Sequence, residues 1–262
     1  MKLIQSRDNP FFKELVKLDG SARNRGRAGQ TLLDGAHLLA AYLDAGYRPR
    51  HILLNAAALQ DGEIAGLRAR ISEVPVTQLD DKLYAQLSEL KTPTGLLALI
   101  DLPQPDVPAA TSRFALLLED IQDPGNLGSM LRSAGAAGCD AVFLSPACVD
   151  AWSPKVLRAS MGGHFCLSIH EQQDLLKVAG EFSGMRLATT LHATHGLYEC
   201  DLQGNVAFMM GNEGAGLSDA LLACATHKIT IPMPGKIESL NAAAATAICL
   251  FEAVRQRLGI GN

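Results

Sequence analysis

An α/β chain built as two unequal units is what this sequence predicts, and three observations predict it. Strand-like and helix-like stretches alternate along residues 11–101, a proline-rich run without apolar periodicity follows at 103–112, and from residue 114 a second alternation supplies six further strand segments. Strands that alternate with helices pair in parallel, because each crossover returns the chain to the same edge of the sheet. The second unit is therefore expected to be a parallel sheet with helices packed on it, and the first a smaller α/β sandwich.

In the first unit, residues 11–18 place Phe11, Phe12, Leu15, Val16 and Leu18 on one helical face. The stretch that follows, SARNRGRAG from Ser21, reads as a flexible loop with arginines at alternate positions 23, 25 and 27; it is either a solvated turn or a handle for a polyanion. Residues 31–35 read as a strand ending at a turn and 37–45 as a helix closed by Gly46. Residues 50–55 make a second strand, 59–72 a helix, 74–77 a third strand, 80–87 a helix and 95–101 a fourth strand.

Leu102-Pro-Gln-Pro-Asp-Val-Pro begins the linker, so the boundaries expected are 1–102, a linker at 103–112, and 113–262. Beyond it, strands are expected at 115–119, 141–144, 166–169, 186–190, 205–210 and 229–231. Helices are expected from about Leu127, at 154–161, at 175–182 and at 218–225. The last strand breaks at Pro232 and Pro234, and a helix begins at about Leu240, where Ser239 and Asn241 stand at capping positions before an alanine run. Small residues let another backbone approach closely, and the Pro-Gly loop leaves peptide groups open to a ligand.

Composition narrows the function classes. With 262 residues, 48% of them hydrophobic, and a net charge of −4, the chain is globular. No apolar run of about 20 residues and no charged-then-apolar start is present, so a cytoplasmic location without a membrane is the default expectation. The six cysteines form no CxxC pair, which argues for free thiols, mostly buried, and against a zinc site. His192-Ala-Thr-His195 lacks the acid-His cluster a metal needs, so no metal is expected. Residues 1–30 carry seven Lys or Arg against three acids, whereas 103–262 carry ten against fifteen, which puts the basic footprint at the amino terminus.

Three stretches carry chemistry. Residues 116–134 are an apolar strand delivering a Pro124-Gly125 loop, with Asn126 at an N-cap position and Arg132 on the second turn of the helix. Residues 206–217 are an apolar strand running into a glycine-rich turn that lacks the Lys-Ser/Thr of a P-loop. The third stretch is the strand, loop and helix at 228–257. In order, they resemble the three motifs of the SpoU (TrmH-type) RNA 2'-O-ribose methyltransferases. The first is matched at Asp123, Pro124, Gly125, Asn126, Gly128, Arg132 and Ala134, the second at Gly211, Glu213, Gly214, Gly216 and Leu217, and the third at Ile231-Pro232-Met233, Ser239-Leu240-Asn241 and the alanine helix. Residues 1–102 resemble, more diffusely, the RNA substrate-binding domain that precedes the catalytic domain in many members and is similar to RNA-binding ribosomal proteins.

That resemblance implies a SPOUT fold with a deep trefoil knot holding S-adenosylmethionine; strand periodicity alone would imply an unknotted sheet. It implies a homodimer, and methylation of a ribose 2'-hydroxyl in structured RNA, 23S ribosomal RNA being preferred to transfer RNA. By motif match the cofactor lies against Gly211, Ile231 and Leu240, with Thr189, Thr190, Leu191, Met210, Met233 and Ser239 nearby. Arg132 is implied at the reaction centre, with Asn126, Glu213, Ser239 and Asn241 holding it, and Arg23, Arg25 and Arg27 facing RNA. A guanidinium almost never gives up its proton. Arg132 is thus either a base assisted by an RNA phosphate or a fixed cation facing the developing alkoxide. The competing readings are a non-catalytic RNA-binding protein, opposed by the intact polar set, and a nucleotide-dependent oxidoreductase, opposed by the lack of GxGxxG.

Overall fold

The computed structural model describes residues 1–260 other than Glu89, Lys91, Thr92, His192 and Thr194. One compact unit comprises Met1–Pro103 with Trp152–Phe165, and the other Gln104–Ala151 with Cys166–Asn262. Residues 152–165 thus pack with the first unit, although they fall inside the span 113–262 expected for the second. Thr31 donates its hydroxyl to the Trp152 carbonyl at 3.0 Å, and Tyr42 meets Phe165 edge-on, so buried contacts tie that segment to the first unit.

The first unit runs β1 (Lys2–Ile4), α1 (Pro10–Asp19), α2 (Ala22–Ala28), β2 (Gln30–Asp34), α3 (Ala36–Asp44), β3 (His51–Leu54), α4 (Gly62–Ala69), β4 (Val76–Leu79), α5 (Asp81–Leu87) and β5 (Leu96–Asp101). Its strands form one mixed sheet in the order β1-β4-β3-β5-β2. β1 had no apolar pattern to announce it: Lys2 and Leu3 are exposed, and Ile4 alone of the three is buried. The helix expected over 59–72 is shorter, because Asp61 accepts from the Ile64 N–H and starts α4 afresh after a 3₁₀ turn.

The arginine loop is the main correction in this unit, since residues 22–28 are helical. Ser21 caps the start by accepting from Asn24 N–H, and Gly29, at φ 63°, ends it in the left-handed conformation. Arg25 is 5% exposed and donates from one guanidinium nitrogen to the carbonyls of Leu18 and Asp19, at 2.6 and 2.7 Å, at the carboxyl end of α1. Asn24 reaches the Lys17 carbonyl beside them. Arg25 is therefore turned inward as a helix-terminating group, whereas Arg23 and Arg27 are exposed.

The second unit continues with β6 (Phe114–Leu118), α6 (Pro124–Ala137) and β7 (Ala141–Leu144); α7 (Pro154–Ser160) belongs to the first unit. Then follow β8 (Ser168–His170), α8 (Leu175–Glu181), β9 (Met185–Thr189), β10 (His195–Gly196), β11 (Val206–Met210), α9 (Asp219–Cys224), β12 (His227–Thr230) and α10 (Ala242–Arg257). All seven strands pair in parallel, in the order β10-β12-β9-β11-β6-β7-β8. The seventh, β10, is two residues long, too short to show a period. Every residue of β6, β7 and β11 is buried, as expected of strands covered on both faces. β11 lies between β6 and β9, so the strand of the second motif is the neighbour of the strand of the first. Of the six cysteines only Cys139 and Cys249 are fully buried, and Cys166 is exposed.

Candidate active site

β6 delivers the first motif to the carboxyl edge of the sheet. Pro124 opens α6 with its fixed φ, but the N-cap is Asp123, whose carboxylate accepts from Asn126 N–H at 2.7 Å. This corrects the expectation that Asn126 caps the helix. Relieved of that task, its side chain donates from Nδ2 to Glu213 Oε1 at 2.9 Å and accepts at Oδ1 from Asn241 Nδ2 at 2.8 Å. Asn241 is itself the N-cap of α10, its Oδ1 accepting from Ala243 and Ala244 N–H. Because that oxygen must face the helix, the Asn241 amide must point its nitrogen at Asn126, which in turn must point its own nitrogen at Glu213. One directed chain, Asn241 to Asn126 to Glu213, thus joins all three motifs, and α10 packs along α6 behind it.

Arg132 and Ser239 stand outside this chain. Arg132 is on the exposed face of α6, Ser239 is in the exposed loop before α10, and neither side chain makes a hydrogen bond to any described residue. Among the described residues no group of His, Cys, Asp or Glu is arranged to hold a metal, and His192 lies outside the described residues.

The glycine-rich turn after β11 folds back on itself. Asn212 and Gly216 bridge through both backbone pairs, Gly216 taking φ 71°. A Cβ on Gly211 would land on the Gly216 carbonyl and Leu217 N, so this glycine is required by the turn's own backbone before any ligand is considered. Asn212 was missed by sequence reasoning. Its Oδ1 accepts from Gly214 and Ala215 N–H, and its Nδ2 donates to the Asp120 carbonyl. The Asn within a glycine-rich turn was the available signal, since Asn side chains close such turns.

The segments expected to hold the cofactor leave neighbouring strands. β9, β11 and β12 end at Thr189, Met210 and Thr230, in register through the pairing of Ile229 with Thr189 and of Met209 with Ala188. Thr189 donates its hydroxyl to the Met209 carbonyl at 3.1 Å, and Thr190 N–H donates to the Ile229 carbonyl at 2.9 Å. Met210 is buried, Ile231 and Met233 are half-buried, and Leu191 and Leu240 are exposed at 57% and 41%. From Met233 to Leu240 no backbone hydrogen bond forms among the described residues. Open peptide groups beside exposed apolar side chains, at the carboxyl edge of a parallel sheet, suit a heterocycle bound through its polar edge and its flat face.

Comparison with known proteins identifies the family. The model of the SpoU rRNA Methylase family matches residues 113–251, and that of the MRM3-like substrate binding domain matches residues 9–98. A Synechocystis protein described as an uncharacterized tRNA/rRNA methyltransferase is 36% identical over 258 residues, 97% of this chain and 94% of its own. The Bacillus subtilis 23S rRNA (guanosine(2553)-2'-O)-methyltransferase RlmP is 31% identical over 254 residues, 96% of this chain and 98% of its own. The crystal structure of the SpoU methyltransferase AviRb from Streptomyces viridochromogenes, in complex with AdoMet, matches with a TM-score of 0.82 at 27% identity, over 96% of this chain and all of that one.

Proposed function

The chain belongs to the SpoU rRNA methylase family, and from that premise we propose how its residues divide the work of methylating RNA. It is an S-adenosylmethionine-dependent RNA 2'-O-ribose methyltransferase, and its RNA is ribosomal. We assign 23S ribosomal RNA, as in the name of RlmP; the transfer RNA alternative rests on the broader name of the Synechocystis relative. The observation that carries the site is the chain Asn241–Asn126–Glu213, which brings residues from the three motifs into one hydrogen-bonded unit.

When bound, S-adenosylmethionine supplies the activated methyl group. This chain must hold the ribose hydroxyl in line and accept or disperse the charge left as its proton departs. Arg132 faces solvent and is available to RNA, as a base assisted by a phosphate or as a fixed cation for the developing alkoxide. Asn126, Glu213, Asn241 and Ser239 form the polar surround. Gly211, Ile231, Leu240, Thr189, Thr190, Leu191, Met210 and Met233 line the donor's place, which lies in the trefoil knot the family implies. The amino-terminal unit recognises RNA, with Arg23 and Arg27 as phosphate contacts. Half-buried Ile248 and Val254 and the 46% exposed Phe251 on α10 favour a homodimer. Sedimentation reading only 27.8 kDa at micromolar concentration would oppose the dimer. No helix among the described residues is long and apolar enough to cross a membrane. We place the protein in the cytoplasm, which cell fractionation tests.

Mapping of 2'-O-methyl positions in cells with and without the protein tests the substrate. Loss of one mark in 23S ribosomal RNA is expected. Loss confined to transfer RNA would move the assignment there, and no loss in either RNA would overturn it.

A further inference from the structure

The turn that carries Glu213 contains three glycines and projects into solvent, so by itself it would sample many conformations. It is gripped at both mouths by the two residues that leave β6. At the entrance, Glu119 N–H donates to the Met210 carbonyl at 2.9 Å, and the Asp120 carbonyl accepts from Asn212 Nδ2 at 2.9 Å. At the exit, the Glu119 carboxylate accepts from Ser218 N–H and from Ser218 Oγ, each at 2.7 Å, while Ser218 caps α9. Asp120 holds φ 57°, a left-handed conformation unusual for a non-glycine residue. Ser145 at the end of β7 fixes it there, accepting from Asp120 N–H at 2.9 Å and donating to Asp120 Oδ1 at 2.6 Å.

We propose that Glu119 and Asn212 are positioning residues for methyl transfer: they set the conformation of the turn so that Glu213 meets Asn126. The proposal rests on the reading of Glu213 as part of the catalytic surround. Neither residue belongs to the Asn241–Asn126–Glu213 chain. Glu119 closes the ends of the turn, Asn212 closes its middle through Gly214 and Ala215, and Glu213 lies inside both closures. A purely structural clamp would change stability alone; a positioning clamp acts on rate through Glu213.

A double-mutant cycle separates the two. Single-turnover methylation of the mapped RNA and calorimetric S-adenosylmethionine affinity are measured for the wild type, Glu119→Ala, Glu119→Gln, Asn212→Ala, Glu213→Ala and Glu119→Ala combined with Glu213→Ala. Glu119→Ala is expected to slow methyl transfer by about tenfold to a hundredfold, the scale of small misplacements in a reactive site. Glu119→Gln, which keeps an acceptor for Ser218 N–H, should recover most of that. In the Glu213→Ala background Glu119→Ala should cost less than about twofold more, because its route of action is already gone. Losses that multiply in full would overturn the positioning role. Full activity in Glu213→Ala would instead remove the reading beneath it, and a wild type that methylates no RNA would remove the function. If Glu119→Ala does not fold, the same cycle with Asn212→Ala decides the matter.

Discussion

Replacement of Arg25 by Ala separates the fold of the amino-terminal unit from its RNA contacts. The side chain is buried and its guanidinium satisfies two carbonyls at the end of α1, which have no helical partner. A hydrogen bond from a charged donor contributes about 1.5–3 kcal/mol net, and a cation at a helix carboxyl terminus adds up to about 1 kcal/mol. Water entering the gap would satisfy part of the two carbonyls, which leaves a loss of about 2–4 kcal/mol. In a domain of roughly 100 residues each kcal/mol shifts Tm by about 4–8 °C, so the melting of this unit should fall by roughly 10–30 °C. Differential scanning calorimetry reads that directly, and RNA binding at several salt concentrations below the melt gives the second axis. The slope of log affinity against log salt should be unchanged in Arg25→Ala. In the Arg23→Ala, Arg27→Ala double variant, Tm should hold while the slope flattens by about 1.4–1.8, from 0.7–0.9 per phosphate contact. An Arg25→Ala protein that melts like the wild type and loses salt dependence would refute the reasoning, returning Arg25 to the RNA face.

Gly211→Ala should reduce S-adenosylmethionine affinity by about tenfold or more, because the new methyl meets backbone atoms of Gly216 and Leu217 that cannot rotate aside; undiminished binding in calorimetry would remove this turn from the donor's place. Arg132→Ala should lower kcat by about a hundredfold or more while cofactor affinity stays near that of the wild type, since its expected partner is the reacting hydroxyl; equal losses in both would make it a binding group. Hydrogen bonds from Arg255 hold the Glu252 carboxyl below its ordinary range. A depressed folded pKa gives stability that is present above the usual glutamate value and lost as pH falls through the folded one. Glu252→Gln should therefore flatten the fall in Tm between about pH 5 and 3, and an unchanged acid profile would show that the pair contributes nothing there.

By itself, the sequence determined the class of the fold and named candidates for the site. The apolar runs of β6 and β11, the Pro-Gly break before α10 and the alanine helix are local patterns, and local patterns follow from side-chain periodicity and backbone propensity. Asn126, Glu213 and Asn241 were legible as candidates for the same reason: each sits in a motif only a few residues long. Tertiary structure decided what those residues do. The partners of Asn126 lie 87 and 115 positions away in the chain, so no window of sequence could show that Asp123 takes over the cap and frees the Asn126 amide. Arg25 shows the converse. On alternation alone it was equivalent to Arg23 and Arg27, and only the end of α1 folded against it turns one arginine inward. β1 and β10 were invisible because two or three residues show no period, and pairing with a neighbouring strand is what makes them strands at all. Glu119 and Asp120 carried no pattern of their own, since a hydrogen bond between two loops is written in the geometry of the sheet that brings the loops together.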